Sequence, residues 1–114
     1  MKIFPALSGL FLVLVSSSGI SRPGWADEGP PEIRFVNGHF EPSELVIQAG
    51  TAFSIRVTNV SDAPIEFESF ELHRERVVAP GETITVYFPA LLAGSFKFFD
   101  DFHSEVPEGA IVAK

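Results

Sequence analysis

The sequence predicts an all-β fold, a sandwich of about seven short strands, and three observations predict it. Short runs of β-branched and aromatic residues recur between clusters of Gly, Pro, Asn, Asp and Ser. Residues 52–59 alternate without a break, Phe53, Ile55 and Val57 against Ser54, Arg56 and Thr58. That is the period-2 pattern of a strand with one buried face. A helical period of any length is missing; only single helical turns near Leu72 or within 90–92 fit the sequence.

Taken in order, residues 1–26 read as a secretory signal. Met1-Lys2 is a short positive end, 3–15 an apolar stretch interrupted by Pro5, Ser8 and Gly9, and 16–26 a small-residue segment. Gly24 and Ala26 fit the positions before a cleavage site, so the mature chain is expected to start at Asp27 and to be exported, as to a periplasm. A retained anchor would need about 20 apolar residues, and this run is shorter. No second apolar segment follows, so the mature chain is expected to lack a membrane span.

Residues 27–32, with Gly29-Pro30-Pro31, form a flexible leader, and 33–114 one domain. Strands are placed at 33–36, 44–48, 52–59, 65–70, 83–88, 95–99 and 109–113, with Asn37-Gly38, Ala49-Gly50 and Ala79-Pro80-Gly81-Glu82 as turns. Residues 60–64 connect, and 72–78 continue as an irregular or extended segment. A domain this small buries only about 60–65% of its unfolded surface. Ten of the chain's twelve Phe are dispersed through this domain and supply the core, because zero Cys leaves no disulfide to help.

Removing residues 1–26 takes away Lys2 and Arg22 and no acid, which moves the formal charge from −7 to −9. Such a surface repels phosphate backbones, so nucleic acid is not a partner. It attracts cations and basic proteins, although acidity also serves plain solubility.

Candidate chemistry lies in two acidic clusters, each with a histidine: 65–73 with Glu66, Glu68, Glu71 and His73, and 99–103 with Asp100, Asp101 and His103. Glu66 and Glu68 are two apart on a strand and so share a face. Carboxylates with imidazole, and without thiolate or thioether, suit iron, copper(II), manganese or zinc rather than copper(I). Crowded carboxylates repel one another, and a cation relieves that repulsion. The plain alternatives are that alternating Glu forms the strand's wet face, and that Asp100-Asp101 is ordinary turn chemistry. His39, ahead of Phe40-Glu41-Pro42, reads as a surface or satisfied histidine. Phe53, Phe67, Phe88, Phe96 and Phe98 read as core.

Four stretches carry a family likeness: Phe40-Glu41-Pro42 with Leu45 and Ala49-Gly50, Val57-Thr58-Asn59 leading to Pro64, Glu66-Phe67-Glu68-Ser69 with Glu71-Leu72 and Arg74-Glu75, and residues 98–103. On these residues the sequence resembles the cupredoxin-like domains of bacterial periplasmic proteins associated with high-affinity iron permeases. The resemblance implies a Greek-key β-sandwich of cupredoxin type. It implies that Glu66 and Glu68 face Asp101 and His103 across one site, with Asp100, Glu71, His73 and His39 as further candidates. His73 stands where this subfamily carries a basic residue. Asp100 falls where blue-copper members have their cysteine, and His103 near their C-terminal histidine. Without Cys, and with Met1 the sole methionine, a blue-copper electron carrier is excluded.

The expected function is a periplasmic module that captures or delivers a metal ion, iron or copper(II), in an iron-uptake system. Its partners are the ion and an iron permease or related component. The alternative is a metal-free interaction domain docking on a transporter. Enzymatic activity is not expected; a metal-assisted oxidation is the one form the residues would allow, since no nucleophile–base pair has recognisable spacing.

Overall fold

Asn37 and Gly38 both adopt positive φ, at 53° and 76°, which is the turn that joins two antiparallel strands with matching twist. The hairpin is the first unit of a computed structural model that describes residues 29–114. The export-signal reading of residues 1–26 and the start of the leader lie outside the described residues. The described part holds nine strands: β1 (Glu32–Val36), β2 (His39–Glu41), β3 (Glu44–Ile47), β4 (Phe53–Asn59), β5 (Ile65–Ser69), β6 (Arg74–Val78), β7 (Thr83–Phe88), β8 (Gly94–Asp100) and β9 (Gly109–Ala113). They form two sheets, ordered β2-β1-β4-β7 and β3-β9-β8-β5-β6. The sandwich is as the sequence predicts, with several corrections.

Glu32 belongs to β1 rather than to the leader. Two strands beyond the expected seven are β2 and β6. β2 is three residues long, too short to show a period. β6, expected as irregular chain, is a sheet edge whose sequence Arg-Glu-Arg-Val-Val is mostly exposed, so no apolar alternation marks it. A turn over residues 70–73, closed by a bond from the His73 N–H to the Phe70 carbonyl (3.2 Å) and by the Leu72 N–H on Ser69 Oγ (3.3 Å), separates β5 from β6. No helix forms near Leu72 or at 90–92.

The aromatic core joins the layers. Phe40 of the first sheet meets Phe98 (5.0 Å between centroids) and Phe67 (6.5 Å) of the second, and Phe67 meets Phe98 at 5.2 Å. The edge-on contacts of Phe40 suit the rings' charge distribution. Phe53 and Phe96 are only partly buried, at the margin of the core. The free edge of β7 is closed from the facing sheet. Arg74 Nε donates to the Tyr87 carbonyl (2.9 Å) and Arg76 Nη1 to the Thr85 carbonyl (3.4 Å). A strand edge capped in this way is a poor template for pairing with another chain.

Gly109 pairs with Phe98, and a Cβ there would overlap the phenyl ring. Because Phe98 is fully buried, the ring has nowhere to go. Gly109→Ala is therefore expected to destabilise the fold by about 1–3 kcal/mol, measured by urea denaturation; an unchanged midpoint would contradict the packing.

Candidate metal centre

β5 carries the site because its two faces differ in kind. Ile65 and Phe67 enter the core, so Glu66 and Glu68 project from the opposite face of the five-stranded sheet. That face is the expected wet one, yet Glu66 is only 7% exposed and Glu68 9%. The cause is position: β5 lies inside the sheet, between β6 and β8. Glu66 stands opposite Val77, and Glu68 stands opposite Glu75 on one side and Phe99 on the other.

Asp101 arrives from the end of β8, where its N–H donates to the Glu66 carbonyl at 3.0 Å and prolongs the ladder by one bond. Carboxylate oxygens of Glu66, Glu68 and Asp101 then lie within 4.8 Å of one another. The electrostatic consequence is large. Glu66 is pushed up from 4.5 to about 7, by a hydrogen bond shared with the Glu75 carboxyl, by desolvation, and by repulsion from Glu75, Asp101 and Glu68. Glu68 is raised by desolvation first, then by Asp101 and Glu75. Its Oε2 is buried without any hydrogen-bond partner, an arrangement that costs free energy unless a donor or cation completes it.

Glu75 is the residue sequence reasoning missed. It was legible only as part of a motif, because its place depends on the β5–β6 register. A four-residue turn at 70–73 sets that register and brings residue 75 opposite residue 68.

His103 is not a member of the trio, which corrects the expected fourfold set of Glu66, Glu68, Asp101 and His103. Its N–H bonds the Asp100 carbonyl (3.2 Å) and its ring Nδ1 the Asp100 Oδ2 (2.5 Å), which holds the ring on its own turn. Asp100, expected in a loop, is the last residue of β8 and 1% exposed. Its Oδ1 accepts the N–H groups of Glu66 and Phe102, both at 3.0 Å, so this carboxylate is saturated by donors within the protein. His39 lies in the other sheet, bonded to Glu41 Oε1 (2.8 Å). Glu71 and His73 are exposed residues of the 70–73 turn, His73 with φ of 55°. None of the three joins the trio.

A thiolate copper site has no counterpart in this chain, which contains no cysteine. The converging donors are oxygens, one of them unpartnered, and such a set fits a hard or borderline cation.

The profile of the cupredoxin-like domain matches residues 6–113. An uncharacterised protein of Rickettsia prowazekii (strain Madrid E), RP394, is 34% identical over 81 residues, which are 71% of this chain and 65% of that protein. The match thus spans less than two thirds of the relative's length. Among solved structures, a purple cupredoxin from Nitrosopumilus maritimus is similar with TM-score 0.58 and 18% identity, over 74% of this chain and 99% of that one. Amicyanin from Paracoccus versutus is similar with TM-score 0.61 and 17% identity, over 78% and 87%. These two likenesses concern the fold. With the profile spanning nearly the whole sequence and the sandwich matching in architecture, the chain belongs to the cupredoxin-like domain family.

Proposed function

We propose that this protein is an exported metal-binding module in which Glu66, Glu68 and Asp101 hold an iron or copper(II) ion as cargo. The observation that carries this reading is the buried, unpartnered Oε2 of Glu68 beside two further carboxylates. A cation satisfies that atom and at the same time cancels the repulsion that raises Glu66 and Glu68. Glu75, whose carboxyl bears on Glu66 and Glu68, lies outside the trio. The resemblance to domains associated with iron permeases supports iron as the cargo and a permease or its periplasmic component as the recipient. The module carries an ion and catalyses nothing in this reading.

Equilibrium dialysis against copper(II), and against iron(III) supplied as citrate, tests it. Binding is expected at pH 8 and is expected to weaken steeply as the pH falls through about 7, because protons and metal compete for the same oxygens. Equal, negligible metal in the wild type and in the Glu66→Gln/Glu68→Gln variant would refute it.

A second reading, docking without metal, draws support from Phe70, 69% exposed and packed on Phe99 at 4.9 Å, and from half-exposed Phe102, both beside the acids. Capture of a partner that persists in chelator but fails in salt would favour it.

A further inference from the structure

We propose that the outer face of β6, β5 and β8 is a docking surface for a partner protein, whose arginine enters the carboxylate trio while the apolar residues beside it lie on Phe70, Phe99 and Val77. The surface itself rests on the geometry of this face. Its use, as the place where a recipient takes over the ion, rests on the metal-binding reading.

Strand register lays the face out. Across β6, β5 and β8 one row runs from Val77 through Glu66 to Asp101, and the next from Glu75 through Glu68 to Phe99. Phe70, exposed just beyond β5, packs on Phe99 with ring centroids 4.9 Å apart. A hollow of about 210 Å³ opens beside that pair, lined by Phe70, Glu71, Lys97, Phe99 and Glu108. Val77 is 53% exposed at the opposite margin. The carboxylates thus sit between apolar side chains, and an ion covers none of that apolar surface. A protein partner covers it, and excludes water from the charged centre as it does so.

The basic residues of the neighbouring strands are engaged elsewhere. Arg74 and Arg76 of β6 donate to β7 carbonyls, and Lys97 of β8 stands 3.7 Å from Glu108. Among the described residues, no Lys, Arg or His forms an ion pair with Glu66, Glu68 or Asp101. Glu68 Oε2 is buried and lacks a donor. A guanidinium brings five N–H groups in one plane, enough to serve several of these oxygens at once. Its flat face also stacks on aromatic rings, and Phe99 lies next to Glu68. A lysine ammonium is more strongly hydrated and loses more on entering. Arginine and the ion compete for the same oxygens, so a partner docked in this way compensates the carboxylates as the ion leaves.

Binding to metal-free protein in chelator is measured by isothermal titration calorimetry and by nitrogen-15 amide shifts. Three ligands are compared: acetyl-Leu-Arg-Leu amide, the same peptide with citrulline in place of arginine, and acetyl-arginine amide. The arginine peptide is expected to bind about tenfold or more tighter than either of the others, and to shift the amides of Glu66, Glu68, Phe99 and Asp101. Its affinity is expected to fall about tenfold or more in Glu68→Gln, and severalfold in Phe70→Ser, which changes an exposed side chain.

Equal binding of the citrulline peptide overturns the proposal, because charge then plays no part in recognition. Equal binding of acetyl-arginine amide overturns it too, because the apolar margin then contributes nothing. Unchanged affinity in Glu68→Gln or in Phe70→Ser has the same consequence. No binding of the arginine peptide at millimolar concentration sinks the docking surface and leaves the metal-binding reading standing. If the peptide binds as expected and the protein takes up no metal, the docking surface stands and the metal-binding reading fails.

Discussion

Glu66→Gln/Glu68→Gln is expected to melt at a higher temperature than the wild type in metal-free buffer at pH 8, while losing ion binding. Glu66 is raised from 4.5 to about 7 in the folded chain, so the folded state holds its proton more tightly than the unfolded state does. A group shifted in this direction contributes stability that is fully present below its unfolded value. That contribution is lost as the pH rises through the folded one. Wild-type stability should therefore decline between about pH 4.5 and pH 7 and stay reduced above. Glu68 is displaced in the same direction and adds to the decline. Glutamine is neutral at every pH, and its amide can donate to the remaining carboxylates. Thermal melts of both proteins with chelator, from pH 4 to pH 9, check this. The two curves should meet in acid and diverge toward alkali; curves that run parallel would show that the acids do not repel one another in the fold. The same crowding that costs stability without an ion is what an ion would reward, so the loss of binding and the gain of stability share one cause.

Asn59→Ala is expected to cost about 2–4 kcal/mol, a large loss for a single polar side chain. Asn59 is 0% exposed at the end of β4. Its Nδ2 donates to the Ala63 (2.8 Å) and Val78 (3.0 Å) carbonyls, and its Oδ1 accepts from the Ser61 N–H (3.0 Å) and Oγ (2.6 Å). Those partners lie in the loop between the sheets and at the end of β6, so one amide fixes where β5 begins. Truncation takes this donor from the buried Val78 carbonyl and leaves the Ala63 carbonyl with the Ser61 hydroxyl alone. Asn59→Asp keeps the volume but turns an acceptor toward two carbonyls, and should be at least as damaging. Urea denaturation of both variants checks the claim; a tolerated aspartate would mean that shape, not hydrogen bonding, is what matters at this position.

Local signals made much of the fold legible. The alternation of residues 53–59 and the Asn37-Gly38 turn each depend on a few neighbouring residues, and both are found as expected. β2 and β6 were hidden because one is very short and the other is an exposed, charged edge. The pairing of residues 66 and 68 on one face was legible from the period of a strand. Their burial was not, because it comes from β6, β8 and Asp101, which sequence spacing does not connect. Glu75 was hidden for the same reason. Asp100 and His103 show a subtler limit: their nearness in sequence is plain, yet residue types alone do not say which one turns inward to hold the backbone and which stays at the surface.

Anomalous diffraction from crystals soaked in copper(II), or in iron(III) citrate, at pH 8 tests the central claim most directly. A peak is expected among the Glu66, Glu68 and Asp101 carboxylates, in contact with Glu68 Oε2. A peak confined to His39 or His73, or density that leaves Glu68 Oε2 unpartnered at saturating metal, would contradict it.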